Sequence, residues 1–433
     1  RTANGGVISG EAANSGSVAV TADGGNAYGI DAKNGSEVKA ANIGSVTVSS
    51  TASAVGVNAA NSSAAISGMK DLSVSADKTA YGVEAYDNAS VSGDLGGLTV
   101  KANDEATGVT ASGGATVKLT LDGNMSVTGT NYALGADVYG GSNAALVLNG
   151  GADINSATGT AVGADTSNSS LKLAMNGDLN VSGDHAWGIE AYDSASVDVS
   201  GLKNLTVTGS AVGFIAESSD LKATLAGDVT INSTSRGAYG LQATASSVDV
   251  SGVRNMTVTA ASGDANGLLA VDSRVTADLG SLSVISPVGE AYGVFISSDK
   301  TSAVNVANGL TVKGVKGGSG IEAAGEAHKI TVGGLTDVNI AANGTNAIAA
   351  ADGSSIALNG GASLDVTGTG DVSGIKANGG NVTVSGDKAV VKASTTGAGA
   401  KAYALNNIGS GDITINTGDA GVELTAKAAS GDA

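Results

Sequence analysis

The chain has 433 residues, of which 67 are glycine and one, Pro287, is proline; it has no cysteine and only 3% aromatics. Disulfides and thiolate metal sites are thereby excluded. A net charge of −18, from 40 acidic and 22 basic residues, argues against nucleic acid and anionic lipid as partners, and no apolar run of about 18 residues is present to span a membrane as a helix.

Read in chain order, the first distinctive string is Ala27-Tyr28-Gly29-Ile30-Asp31-Ala32. It returns as Ala80-Tyr81-Gly82-Val83-Glu84-Ala85, Ala186-Trp187-Gly188-Ile189-Glu190-Ala191 and Ala238-Tyr239-Gly240-Leu241-Gln242-Ala243. Weaker copies fill the gaps, so that a pivot glycine recurs every 25 to 28 residues, from Gly29, Gly56 and Gly82 through Gly374, with Ala347 standing in once. Each unit carries three short runs in which apolar and polar residues alternate, the period-2 signature of a half-buried strand. The first run follows the pivot. The second is seen in Val197-Asp198-Val199 and Val248-Asp249-Val250, and the third in Val46-Thr47-Val48, Leu205-Thr206-Val207 and Leu310-Thr311-Val312. Turn residues separate the runs, as in Ser200-Gly201-Leu202-Lys203-Asn204.

Three strands and three turns in about 26 residues make one coil of a solenoid. The expected fold is all-β: a right-handed, three-sided parallel β-helix of about fifteen coils. It forms a single domain over residues 1–433, with 400–433 as an irregular final coil. Its handedness follows from the rule for parallel crossovers. Strand spacing then gives a rod on the order of 75 Å long. Near-absence of proline fits a chain that is mostly ladder. Neither a six-residue period nor the calcium-binding nonapeptide G-G-x-G-x-D is present.

Chemistry-bearing motifs are scarce. His185 and His328 lie in different coils, too far apart to share a metal or a triad, and read as solvent-facing turn residues. No H-E-x-x-H, G-x-S-x-G or P-loop occurs. No catalytic residue, metal or cofactor is expected, and the chain reads as non-enzymatic. The nearest approach to a catalytic pair is Asp137 with Asp165. Both sit two places after a pivot glycine, in adjacent coils, at a spacing of about 5 Å that suits a retaining glycosidase. Asp31, Glu84, Glu190 and Glu322 share that position, and the column reads as an acidic outer face on which no arginine or aromatic cluster converges.

Three further columns are candidates for surface recognition. The residue before the pivot is Tyr28, Tyr81, Trp187, Tyr239 or Tyr292 at even multiples of a coil, with Val, Thr, Leu, Asn and Ser between. Pointing outward, these rings form rungs for a sugar or a partner protein; pointing inward, they fill core. Alanine two places before the pivot recurs from Ala27 to Ala291, either as a tight inner corner or as a flat outer face for lateral packing. Thr206 with Thr208 and Thr257 with Thr259 form the T-x-T pattern of an ice-binding face. Lys101, Asn180, Lys313 and Asp365 interrupt it, and β-branched filling of an exposed sheet explains it equally.

With this coil length and strings such as Ser200-Gly201-Leu202-Lys203-Asn204-Leu205-Thr206-Val207, the whole chain resembles the adhesin-type passengers of bacterial autotransporter and two-partner-secreted exoproteins. The resemblance implies a right-handed β-helix that is secreted or held at the bacterial cell surface. It implies adhesion, aggregation or biofilm formation through host or bacterial surface glycan or protein. The family's leader and membrane barrel are not in the sequence, so an excised or matured passenger segment is expected. Alternatives are a filament subunit that self-associates laterally or end to end through open strand edges, and, further off, ice binding or polysaccharide processing.

Overall fold

The computed structural model describes residues 7–11, 16–341, 345–419 and 421–430. The termini at Arg1 and Ala433, expected as open strand edges, lie outside the described residues. The chain divides into two compact units: unit 1 is Arg1–Gly209 with Glu217–Thr224, and unit 2 is Ser210–Ala216 with Leu225–Ala433. Among the described residues each unit is all-β and built from parallel strands stacked as a β-solenoid, with about fifteen turns between them.

One coil of unit 1 shows how the sequence produces this. Its strands are Glu105–Ala111, Thr116–Leu121 and Met125–Gly129. They pair in parallel with Tyr132–Tyr139, Asn143–Leu148 and Ala152–Ser156 of the next coil, in the register Val109↔Ala136, Leu119↔Leu146 and Val127↔Ile154. Alternation then places Val109, Val117, Leu119, Leu121 and Val127 inside, each 0–1% exposed. A Val or Leu side chain so buried contributes about 1.5–3 kcal/mol, and only stacking on a neighbour buries it. Unit 2 repeats the pattern, for example with Arg274–Ser286 laid on Ser247–Ala260, where Val248, Val250, Met256 and Val258 are all buried.

The pivot glycine is required by a close approach. A Cβ on Gly82 would lie 2.5 Å from the Gly108 carbonyl oxygen and 2.8 Å from Leu98 Cδ1, a core side chain of the third strand. The alanine two places earlier is equally internal: Ala27, Ala54, Ala80 and Ala106 are 0–2% exposed. The alanine–glycine stripe is therefore the tight inner corner, not an outer packing face. Because Gly82 and the next residue, Val83, both turn inward, the strand kinks there, and Tyr81 and Glu84 on either side of the kink both project outward.

The turn after the first strand uses left-handed backbone. Asn34, Asn61, Asp87, Asn168, Asp193, Asp272 and Asp352 have φ between 45° and 59°, a region that short polar side chains tolerate best after glycine. A column of buried hydroxyls satisfies the backbone beside this turn. In unit 1 the Ala115 N–H donates to Ser142 Oγ (3.1 Å) and the Ser142 N–H to Ser169 Oγ (3.0 Å). In unit 2 the Ser246 N–H donates to Ser273 Oγ (3.0 Å).

His328 belongs to the same column, which corrects the expectation of a solvent-facing turn residue. It is 1% exposed. Its Nδ1 accepts from the Ser302 N–H (3.2 Å), its own N–H donates to Ser354 Oγ (3.4 Å), and its Nε2–H donates to the Ala324 carbonyl (3.0 Å). The imidazole acts as a long serine, an assignment that isolated sequence spacing does not reveal. His185 is half-buried and stacks on Trp187 with centroids 6.2 Å apart.

Parallel in-register stacking puts each residue on its own homologue, which for acids means repulsion. Several outer columns avoid this by following Asp with Asn one coil later. The Asn149, Asn180 and Asn305 amides donate to Asp122, Asp153 and Asp278 at 2.9, 2.8 and 2.7 Å. Ala402–Ile408, Ile413–Thr417 and Val422–Ser430 pair with Val372–Asn378, Asn381–Gly386 and Ala389–Ala398 as one more coil, with a register shift between Thr395 and Ala398. Its pivot is Ala404, which like Ala347 replaces the usual glycine.

Candidate functional site

The kink at the pivot makes the outer face of the first strand the place where copies differ. In unit 1, the residues before the pivot run Tyr28, Val55, Tyr81, Thr107, Leu134, Val162 and Trp187 in continuous register. Two places after it they run Asp31, Asn58, Glu84, Thr110, Asp137, Asp165 and Glu190. These positions alternate with buried ones and point outward, yet Val162, Asn58, Thr110 and Glu190 are 0%, 1%, 4% and 4% exposed. Outward but covered, these positions make up a half-enclosed strip, the trough of unit 1.

The predicted rings Tyr28, Tyr81 and Trp187 lie on this face, half-buried and outward. They do not form an aromatic ladder, because Val55 separates the first two and Thr107, Leu134 and Val162 separate Tyr81 from Trp187. Sequence reasoning missed other tyrosines on the same strand: Tyr132, three places before its pivot, and Tyr86, Tyr139 and Tyr192, four places after theirs. The last three recur every second coil, a signal that a column-by-column reading could have found.

Carboxyl groups define the chemistry. Asp137, Asp165 and Glu190 stack in register on three successive coils. Burial pushes the Asp137 carboxyl up to about 7, with the Asp165 charge adding to it. Burial, then Asp165, pushes Glu190 up to about 8, against the hydrogen bond from the Tyr192 hydroxyl (3.0 Å). Asp165 is raised by burial and eased by a backbone hydrogen bond from Thr166; its Oδ1 is buried with no hydrogen-bond partner, as is Thr110 Oγ1 in the same column. Tyr132 is pushed up to about 12 by burial and by the fields of Asp165, Asp137 and Glu190. The column is thus not a solvated acidic face. It is a half-dry row of acids with Tyr132 and Tyr192 against it, which corrects the expectation that no aromatic group converges there. Carboxyls near their midpoint at neutral pH both donate and accept hydrogen bonds, and rings beside them offer apolar faces. That combination suits a polyhydroxylated ligand.

In unit 2 the positions two after the pivot hold one acid among the described residues, Glu322, whose carboxyl is also pushed up by burial. Before the pivot stand Tyr239, Asn266, Tyr292 and Ser319, and two places after it Gln242, Leu269, Phe295 and Glu322. Tyr292 faces outward, donates to Glu290 (3.0 Å) and meets Phe295 edge-on at 5.9 Å. Tyr239 is half-buried on the same face, and Tyr403 extends the column in the last coil, paired with Ser373.

Elsewhere, an open groove of about 360 Å³ in unit 1 is lined by residues including Thr21, Ser49, Thr51 and Lys101, and one of about 610 Å³ in unit 2 by Lys316, Thr367, Thr369 and Ser394. Most of their lining residues are serine, threonine or alanine. Thr206, Thr208, Thr257 and Thr259 lie outward on the third strand, with Lys101, Asn180 and Lys313 exposed in the same columns. Among the described residues, no group of three or more His, Asp or Glu is placed to hold a metal ion, and no helix is long and apolar enough to cross a membrane.

The fold defines a class, the parallel β-solenoid repeat proteins. Comparisons with protein-family models, with curated proteins and with solved structures find no match.

Proposed function

We propose that this protein is a non-enzymatic adhesive β-helix, secreted or displayed at a bacterial cell surface in the manner of autotransporter or two-partner-secreted passengers, and that it binds surface glycan along the trough of unit 1. The observation that carries the reading is the in-register row Asp137, Asp165 and Glu190 flanked by Tyr132 and Tyr192. What nearly every coil copies is structural, so recognition belongs where the copies diverge. Adhesion, aggregation or biofilm formation would follow from many weak contacts of this kind along one face. The test is retention of the purified chain on immobilised bacterial and host polysaccharides. Tyr132→Ala is expected to weaken retention about tenfold, the effect of one lost stacking contact with its hydrogen bond. Unchanged retention, or none by the wild-type chain, contradicts the reading.

A second reading, polysaccharide cleavage, is favoured by the same raised carboxyls, since a protonated Asp137 beside Asp165 has the form of a general acid with a neighbouring carboxylate. Release of reducing ends by the wild-type chain, abolished by Asp137→Asn, would replace the first reading with the second.

A further inference from the structure

One cluster on the first strands of unit 1 has a different chemistry from the acid row. Asp31 and Asn58 are register partners on successive coils and are buried, 7% and 1% exposed. The Asn58 Nδ2 donates to Asp31 Oδ1 at 2.8 Å, and Lys33 Nζ lies 3.2 Å from that same oxygen. The Lys33 side chain is 27% exposed, and its Nζ sits 4.3 Å from the centroid of the Tyr28 ring, which shields it from one side. The register partner of Lys33 is the small Ala60, so no long side chain on the next coil stands in its own column. The Asn58 carbonyl oxygen is buried and has no hydrogen-bond partner. The Asp122–Asn149 and Asp153–Asn180 pairs, by contrast, face solvent.

An amine and a carboxamide nitrogen held on one buried carboxylate oxygen are the parts of an amide exchange. We propose that Lys33 and Asn58 become joined by an intramolecular isopeptide bond, with Asp31 as the proton relay. The Lys33 ammonium passes a proton to the Asp31 carboxylate, and the free amine attacks Asn58 Cγ. As the new C–N bond forms, Asp31 returns this first proton to the amide nitrogen, then takes the second proton from Nζ and passes it on as well, so the nitrogen leaves as ammonium. Lys33 Nζ ends as a secondary amide, Asp31 is regenerated, and no oxidant or co-reactant is consumed. A base that touches the nucleophile and an acid that touches the leaving group are the same carboxyl here. Fixed placement of both reactants by the β-ladder replaces the entropy cost of bringing them together. The product welds two successive coils of unit 1 by a bond that reducing agents do not cleave.

Mass spectrometry of the full-length purified chain tests this. The intact mass is expected one ammonia below the sequence mass, and a protease map is expected to return a branched peptide joining the Lys33 segment to the Asn58 segment. Lys33→Arg restores the full mass. A wild-type chain at its full sequence mass overturns the proposal. So does loss of ammonia that persists in Lys33→Arg, the signature of a cyclic imide at Asn58 instead of a cross-link.

Discussion

The two units share a skeleton and differ in what they hang on it. In both, the pivot glycine meets core side chains of the third strand: at Gly82 it is Leu98 and Val100, and at Gly267 it is Val284 and Leu282. In both, Asn follows Asp on the outer columns and buried serines close the first turn. Two places after the pivot, however, unit 1 stacks Asp137, Asp165 and Glu190, whereas unit 2 stacks Gln242, Leu269 and Phe295. A solenoid holds its inner columns constant because each coil is the template for the next. Its outer columns are free to vary, and a row of acids that raises its own protonation is a costly variation to retain without use.

The common skeleton predicts the largest effect. A methyl added at Gly82 or at Gly267 meets a backbone oxygen at 2.5 or 2.4 Å, and neither oxygen can retreat without breaking the ladder. Gly82→Ala and Gly267→Ala are each expected to destabilise their unit by about 3 kcal/mol or more, read from urea midpoints. A large loss in one and none in the other would break the equivalence of the two frameworks.

The next effect separates the units. Raised carboxyl values mean that the folded state holds protons more tightly than the unfolded chain does. For Asp137 and Glu190 that stabilisation is complete below the unfolded value near 4, and it is lost as pH rises through about 7 and about 8 respectively. Unit 1 is therefore expected to weaken from pH 4 to 8. Asp137→Asn should remove part of that slope, with a gain of about 2 kcal/mol at pH 8 and little change at pH 4. Phe295→Leu in unit 2 should leave the slope untouched. Thermal melts across this pH range, with both variants in parallel, measure the contrast.

Smaller effects probe the outer ladders. Asn180→Asp places a charge on Asp153 and should cost about 1 kcal/mol, less in high salt; Asn305→Asp, which sets a charge on Asp278 in unit 2, should behave alike. His328→Ser returns the hydroxyl column to its usual residue and should change stability by no more than about 1 kcal/mol. His328→Leu, which strands the Ser302 N–H, should cost about 1–3 kcal/mol. Chemical denaturation of these four variants orders them.

Much of the skeleton was legible because stacking imposes periodicity. The Ala-x-Gly string and the Val-Thr-Val runs report inner columns, where every copy meets the same neighbours. Trough residues were harder to read because their burial comes from other coils. Nothing local to Glu190 says that it is nearly enclosed, and Tyr192 reads as an ordinary tyrosine until strand alternation sets it on the same face within hydrogen-bond reach of that carboxyl. His328 hid for the same reason, since only its place in the serine column shows its role. Tyr28, Tyr81 and Trp187 share a register column in unit 1, and Tyr239 and Tyr292 share one in unit 2, but each column is continuous in position and not in chemistry.

The central claim, that recognition lies on the divergent face of unit 1, is tested most directly by glycan retention of two matched variants. One replaces Asp137, Asp165 and Glu190 by their amides; the other carries Tyr239→Ala with Tyr292→Ala in unit 2. The account predicts that the first loses binding at least about tenfold while the second binds as the wild type does. Binding abolished by the unit 2 changes and untouched by the unit 1 changes would contradict it.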